Sequence, residues 1–267
     1  MAAGVRVPDI LAKKQQGELI TMLTAYDFNM ARLLDASGVD MLLVGDSLGM
    51  VVLGYRNTIP VTLDDVVHHS AAVARGAERA LVVADMPFGT CHCGPDDAMR
   101  AAARLVQEGG AAAVKIEGGH QIAEVVARLT DGGIPVMAHV GLRPQSVHQL
   151  GGFRRQARTR SDAELLLHDV KTLAEAGAFS VVLEAIPDDV AAEATTASPI
   201  PTIGIGAGPH CDGQVLVSYD VLGLYDRAVP KFAKQYAELG RHVTQAARQF
   251  VDEVTAREFP PPPEQPV

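Results

Sequence analysis

LVVADMPFGTCHCGPDDAMRAAARLVQEGGAAAVKIE, residues 81–117, carries one full repeat of the pattern that decides the fold. An aliphatic run (81–84) ends on Asp85, and Pro95 with Asp96 opens an Ala-rich amphipathic stretch (95–108). Gly109 stops that stretch, and a second aliphatic run (113–116) ends on Glu117. Proline just inside a helix and glycine just past it are the usual punctuation of an α-helix. The flanking runs are continuous rather than alternating, as in strands covered on both faces. The unit therefore reads strand–helix–strand, with the two strands parallel.

Working outward, the same unit recurs. Strands are expected at 19–23, 41–44, 136–139, 180–183 and 202–205, with a weaker eighth at 215–218. Helical patterns lie between them at 28–37, 63–75, 121–130, 162–176 and 188–196, and Gly38, Gly76 and Gly177 sit at helix ends. A short helix (5–16) precedes the first strand, and 231–258 reads as a closing helix or helix pair. Open and closed parallel sheets share this pattern. About eight units in roughly 250 residues favour closure into a single α/β domain, a (β/α)₈ TIM barrel with an N-terminal helix before its first strand. Residues 1–258 are assigned to that barrel and 259–267 to a Pro-rich tail without fixed structure.

Composition sets limits on function. The chain has 267 residues, 48% of them hydrophobic, no Trp, and a formal net charge of −9. That charge disfavours nucleic acid or an anionic membrane as partner. Three cysteines (Cys91, Cys93, Cys211) without framework spacing fit a reducing compartment. No apolar leader precedes Pro8 and no apolar run reaches roughly 18 residues, so a cytoplasmic protein with neither signal nor membrane span is expected.

The chemistry is expected where the runs end. Asp46–Ser47, Asp85, Lys115 with Glu117, His139 and Glu184 each follow or close an apolar run. In a parallel barrel those ends converge on one rim. Asp46 and Asp85 are two hard oxygen ligands suited to Mg²⁺, or caps of the turns that follow them. Glu117 is a third ligand or acts through water. Lys115 lies two residues before Glu117 and so faces the same way, as a binder of a substrate carboxylate or as an ion-pair partner. Glu184, next to apolar Leu183 and Ile186, is a candidate general base or a helix cap. Gly204-Ile-Gly-Ala-Gly208, Cys91-His-Cys93 and His68-His69 read more simply as packing, loop and helix residues than as phosphate or metal sites.

Read in order, Thr24-Ala-Tyr-Asp27, Val44-Gly-Asp-Ser-Leu-Gly-Met50, Ala84-Asp-Met-Pro-Phe88 and Val114-Lys-Ile-Glu-Gly118 resemble the successive signatures of ketopantoate hydroxymethyltransferase. His139-Val-Gly-Leu-Arg-Pro-Gln145, Leu183-Glu184, Gly204–Gly208 and Pro230-Lys-Phe232 extend the resemblance over nearly the whole chain. The resemblance implies transfer of a one-carbon unit from 5,10-methylenetetrahydrofolate to 3-methyl-2-oxobutanoate, giving 2-dehydropantoate for pantothenate and coenzyme A synthesis. It also implies a homodecamer of two pentameric rings. On this reading Asp46 and Asp85 bind Mg²⁺ with Glu117, Ser47 and Lys115 hold the keto acid, and Glu184 accepts its proton. One departure is visible: Gln156-Ala-Arg158 stands where the family carries Gln-Gly-Arg or Gln-Gly-Lys, and Ala takes a positive φ less cheaply than Gly. A lyase or mutase of the related enolate-forming barrels would call for a Lys-Lys-Cys-Gly-type loop, which this sequence lacks. A non-catalytic sensor on the same fold would call for broken rim carboxylates, and all are present.

Overall fold

A computed structural model describes residues 4–225 and 230–261. The chain divides into two compact units, Met1–Val217 and Ser218–Val267. All eight strands belong to the first.

That unit opens with α1 (Val7–Gln16) and then alternates: β1 (Ile20–Thr24), α2 (Phe28–Ala36), β2 (Met41–Val44), α3 (Leu48–Val51), α4 (Leu63–Gly76), β3 (Leu81–Asp85), α5 (Pro95–Gln107) and β4 (Ala113–Glu117). It continues with α6 (Ala123–Asp131), β5 (Val136–Gly141), α7 (Val147–Leu150), α8 (Arg160–Glu175), β6 (Ser180–Glu184), α9 (Asp188–Ala197), β7 (Thr202–Ile205) and β8 (Gly213–Leu216). Each strand pairs in parallel with the next. β8 returns to β1 through Ile20 opposite Gly213 and Met22 opposite Val215, closing the barrel.

Side-chain alternation explains both surfaces of the sheet. Ile20, Met22, Met41, Leu43, Leu81, Val83, Ala113, Met137, Val182, Ile203 and Val215 form the interior cluster, with Ile10 of α1 packed into it. Their outward neighbours, such as Leu42, Val82, Val114 and Val181, are equally buried under the helices. From β2 to β7 both faces are dry, which is why those strands read as apolar runs, whereas β1 and β8 each expose one residue, Thr21 and Gln214. Helix α5 shows the complementary rule: Ala98, Ala101, Ala102 and Leu105 are buried at helical spacing, while Asp96 and Asp97 lie in its first turn.

Opposite the catalytic rim, α1 fastens the start of the barrel to its end. Lys13 Nζ lies 2.8 Å from Asp40 Oδ1, and Lys14 Nζ lies 2.8 Å from Asp212 Oδ2. Each aspartate also accepts two hydrogen bonds from a neighbouring strand: Asp40 from Thr21 N and Oγ1, Asp212 from Thr202 N and Oγ1.

Several boundaries differ from the sequence reading. The eighth strand lies at Gly213–Leu216 rather than 215–218, because Gly213 and Gln214 carry no apolar signal and Ser218 already begins a helix. Strands β3, β4, β5 and β6 run one or two residues further than expected, taking in Asp85, Glu117 and Glu184. The helix expected from 121 starts as a 3₁₀ turn over His120–Ile122. Helix α8 begins at Arg160, capped by Thr159, whose side chain accepts from Asp162 N. In the second unit, α10 (Ser218–Leu222) precedes α11 (Leu239–Thr255), the only helical part of 231–258. Within this unit Tyr236 N donates to Val221 O and Gly240 N to Gly223 O. Residues 262–267, most of the expected tail, lie outside the described residues. Among the described residues no helix is long and apolar enough to cross a membrane.

Candidate active site

The inward alternation that builds the apolar interior continues upward into polar residues. Above Leu81 and Val83 comes Asp85; above Ala113 come Lys115 and Glu117; above Met137 comes His139; above Val182 comes Glu184. Strand β2 ends one residue earlier, and Gly45-Asp46-Ser47 turns over the rim into α3. A Cβ on Gly45 would meet Ser47 Oγ at 2.9 Å and Asp85 Oδ2 at 3.3 Å, so the turn has room only for glycine. Asp46, Asp85, Lys115, Glu117 and His139 are all buried.

Contacts tie these residues into one cluster. Asp46 N donates to Asp85 Oδ2 at 2.9 Å. Lys115 Nζ stands 2.6 Å from Asp85 Oδ1 and 3.2 Å from His139 Nδ1. An ammonium can only donate, so His139 Nδ1 is the acceptor and the ring proton sits on Nε2. That Nε2 lies 3.2 Å from Glu184 Oε2, close but not aligned for a hydrogen bond. Glu117 Oε2 accepts from Gln145 N at 3.0 Å, while its Oε1 has no hydrogen-bond partner. Ser47 Oγ is 2.8 Å from Tyr26 Oη, and Tyr26 O is 2.6 Å from His69 Nδ1. The six residues singled out in the sequence thus share one rim. His139, whose place was open, stands between Lys115 and Glu184.

Electrostatics follow from dry walls and too many acids. Burial, then the charge of Asp85, pushes the Asp46 carboxyl up to about 7. Burial, then Asp46, raises Glu117 well above the carboxylate range. Burial alone lifts Glu184 to about 7, against the pull of Lys115. For Lys115 burial works downward, but Asp85, Glu117 and Asp46 outweigh it and the ammonium is held charged. Burial and then Lys115 push His139 well below the imidazole range, keeping it neutral. A permanently charged lysine argues against a nucleophilic amine at this position.

A divalent cation is tested by the donor set. Among the described residues no three His, Cys, Asp or Glu side chains are arranged to hold a metal by themselves. Magnesium does not ask for that: it is commonly held by one or two carboxylates, with water and substrate oxygens completing an octahedron. Asp46 and Asp85 supply two such carboxylates, Glu117 offers an oxygen with no donor, and among the described residues Lys115 is the cation that touches the group. The residues fit Mg²⁺.

Sequence reasoning missed two participants. Gln145 donates through Nε2 to Asp46 Oδ2 at 2.9 Å and to Met86 O at 3.1 Å. Tyr26, fully buried, holds the Ser47 hydroxyl. Each had a trace in the sequence only as part of a family signature. At the remaining motifs, Cys91 is buried with Sγ 3.8 Å from Met86 Sδ, Cys93 is exposed, and Gly208 O accepts from Gln214 Nε2. Ala157 adopts φ +51°, the conformation for which the family's glycine would be suited.

Comparison with known proteins identifies the family. A family model described as ketopantoate hydroxymethyltransferase matches residues 4–262. The 3-methyl-2-oxobutanoate hydroxymethyltransferase of Syntrophus aciditrophicus is 56% identical over 94% of this chain and 92% of its own. That of Trichlorobacter lovleyi is 54% identical over 97% of both chains. Among solved structures, a 2,3-dimethylmalate lyase of the PEP mutase/isocitrate lyase superfamily superposes with a TM-score of 0.60, covering 98% of this chain and 91% of its own. At 16% identity that likeness concerns the fold alone. The chain belongs to the ketopantoate hydroxymethyltransferase family.

Proposed function

We propose that this protein transfers a hydroxymethyl group from 5,10-methylenetetrahydrofolate to 3-methyl-2-oxobutanoate, forming 2-dehydropantoate for pantothenate and coenzyme A synthesis. The observation that carries the reading is the separation of roles around His139. An acidic cluster with one fixed ammonium lies on one side, and a lone carboxyl lifted to about 7 lies on the other.

Lys115 and Ser47 hold the carboxylate of the keto acid, with Tyr26 orienting the serine hydroxyl. Asp46 and Asp85 would hold Mg²⁺, and Glu117 would support the site directly or through water. When bound, the ion would supply Lewis acidity toward the charge that develops on the keto acid. Glu184 takes the proton from C3, and the C–H electron pair moves toward the keto oxygen. A base near neutral pKa suits that transfer at working pH. Lys115 adds a fixed positive charge where negative charge develops. His139 is neutral, with its Nε2 3.2 Å from Glu184 Oε2, and stands beside the carboxylate that receives the proton. Over the whole reaction both C–N bonds of the folate methylene bridge break. Its carbon gains a bond to C3 and a water-derived hydroxyl, and tetrahydrofolate leaves.

The chain works in the cytoplasm, a reading supported by three unbridged cysteines. It assembles as a homodecamer, supported by family membership; sedimentation at a mass well below ten chains would overturn that. The activity is tested with 3-methyl-2-oxobutanoate and 5,10-methylenetetrahydrofolate, with and without a chelator. Product that depends on folate and disappears with chelation is expected; undiminished product in the chelator would end the metal reading.

A further inference from the structure

The loop between β5 and α8 leaves the barrel at Gly141, where φ is +91° and a Cβ would meet Glu184 O at 2.3 Å. Three bonds fasten it to the end of β6: Leu142 N to Glu184 O, Gln156 N to Ala185 O, and Arg155 Nη2 to Ile186 O. Gln145 is different. Buried in the mouth, it reaches across to three other strand ends. Its backbone N–H donates to Glu117 Oε2 at 3.0 Å, and both amide hydrogens of its side chain are engaged, by Asp46 Oδ2 at 2.9 Å and Met86 O at 3.1 Å.

The Met86 carbonyl matters as a second anchor. It fixes the plane of the amide, so Nε2 does not simply follow the Asp46 carboxylate as that group turns. The terminal torsions of Asp and Glu are broad and soft. Among three mutually repelling carboxylates that softness would let the groups rotate apart. Gln145 takes one oxygen of Asp46 and one of Glu117, and Glu117 Oε1 is left without a hydrogen-bond partner.

We propose that Gln145 is a positioning residue for the cation site, setting the rotation of the Asp46 and Glu117 carboxylates; this rests on the Mg²⁺ reading above. Gln145→Met removes the amide at nearly constant volume and keeps the backbone bond to Glu117. Gln145→Asn keeps an amide one methylene too short to reach Asp46, and carries the same test should the Met variant not fold. Binding of Mn²⁺, as a spectroscopic substitute for Mg²⁺, is measured by electron paramagnetic resonance, with melting temperature as the control for folding. Partners that orient metal ligands typically contribute about ten- to a hundredfold in metal affinity. We expect the Mn²⁺ dissociation constant of either variant to rise by about that factor, with turnover at saturating Mn²⁺ returning to within a few-fold of wild type. Unchanged Mn²⁺ affinity with a lowered melting temperature would make Gln145 a strut of the loop and overturn the proposal. Failure of the wild-type protein to bind Mn²⁺ would overturn the metal reading and this proposal together, and the wild-type titration separates the two outcomes.

Discussion

Replacing Glu184 with Gln preserves the shape at the end of β6 and removes its one ionisable proton site. Two effects of opposite sign are expected. The first is on chemistry. General acid–base catalysis by a placed side chain contributes about 10²–10⁴ in rate, so exchange of the substrate's C3 proton with solvent should fall at least a hundredfold. The second is on stability. Burial lifts the folded-state pKa of Glu184 from 4.5 to about 7, while the unfolded chain keeps the lower value. Below pH 4 both states carry the proton and the residue makes no difference. Between about 4.5 and 7 only the unfolded chain ionises, so stability drops as pH rises, and above 7 the full cost is present. Each tenfold change in proton affinity is worth about 1.4 kcal/mol, which sets a ceiling of about 3.5 kcal/mol. The Glu184 side chain keeps 16% of its surface exposed, and screening by water reduces the cost to about 2 kcal/mol. Gln cannot ionise and escapes that cost. The variant should therefore be more stable than wild type at pH 8, equally stable at pH 4, and inactive in exchange. Urea unfolding at the two pH values, with proton NMR of the keto acid in D₂O, reads both effects. Wild-type exchange rates would remove Glu184 as the base, and a stability difference independent of pH would refute the electrostatic account.

Three further outcomes follow from the same structure. Asp85→Ala should lower turnover at least a hundredfold, with part of the loss recovered at high Mg²⁺; metal-independent turnover in this variant would contradict its role as ligand. Asp40 is held below the ordinary carboxylate range because Lys13 and Thr21 outweigh the opposing effect of burial. Its stabilisation is present above pH 4 and lost as pH falls through its folded value, so Asp40→Asn should cost about 1–2 kcal/mol at pH 7 and progressively less as the solution is acidified below pH 4, as denaturant midpoints will show. Ala157→Gly relieves a left-handed conformation worth about 1–2 kcal/mol, part of which is offset by the freer unfolded chain. A melting temperature unchanged or up to about 3 °C higher is expected, with activity retained, and a clear drop would mean that the alanine methyl has a packing role.

The barrel was legible because β2 to β7 are dry on both faces and therefore written in largely aliphatic residues. The site was legible because inward alternation carries Lys115 and Glu117 to one side and because polar residues at strand ends have only the rim to occupy. β8 was misplaced where Gly213 and Gln214 pair through the backbone, which leaves no mark in residue type. The four-residue helices α3 and α7 are too short to show a period. Gln145 stood inside a family signature, but nothing in its residue type marked it as part of the site. Its burial comes from a chain reversal that brings it against Asp46, 99 residues away. The departure at Ala157 could be identified from its neighbours Gln156 and Arg158, and the positive φ found there is the strain that a missing glycine implies.

The double clasp made by Lys13 and Lys14 also bears on the order of assembly. Lys14 meets Asp212 across 198 residues of chain, so the amino-terminal helix leaves the ribosome long before its second anchor exists. At about 5–20 residues per second that delay is roughly 10–40 s, during which Ile10 has no finished interior to enter. Nascent chains stalled before residue 212 should consequently expose 5–17 to protease while full-length chains protect it, and equal protection in both would show that the helix seats early.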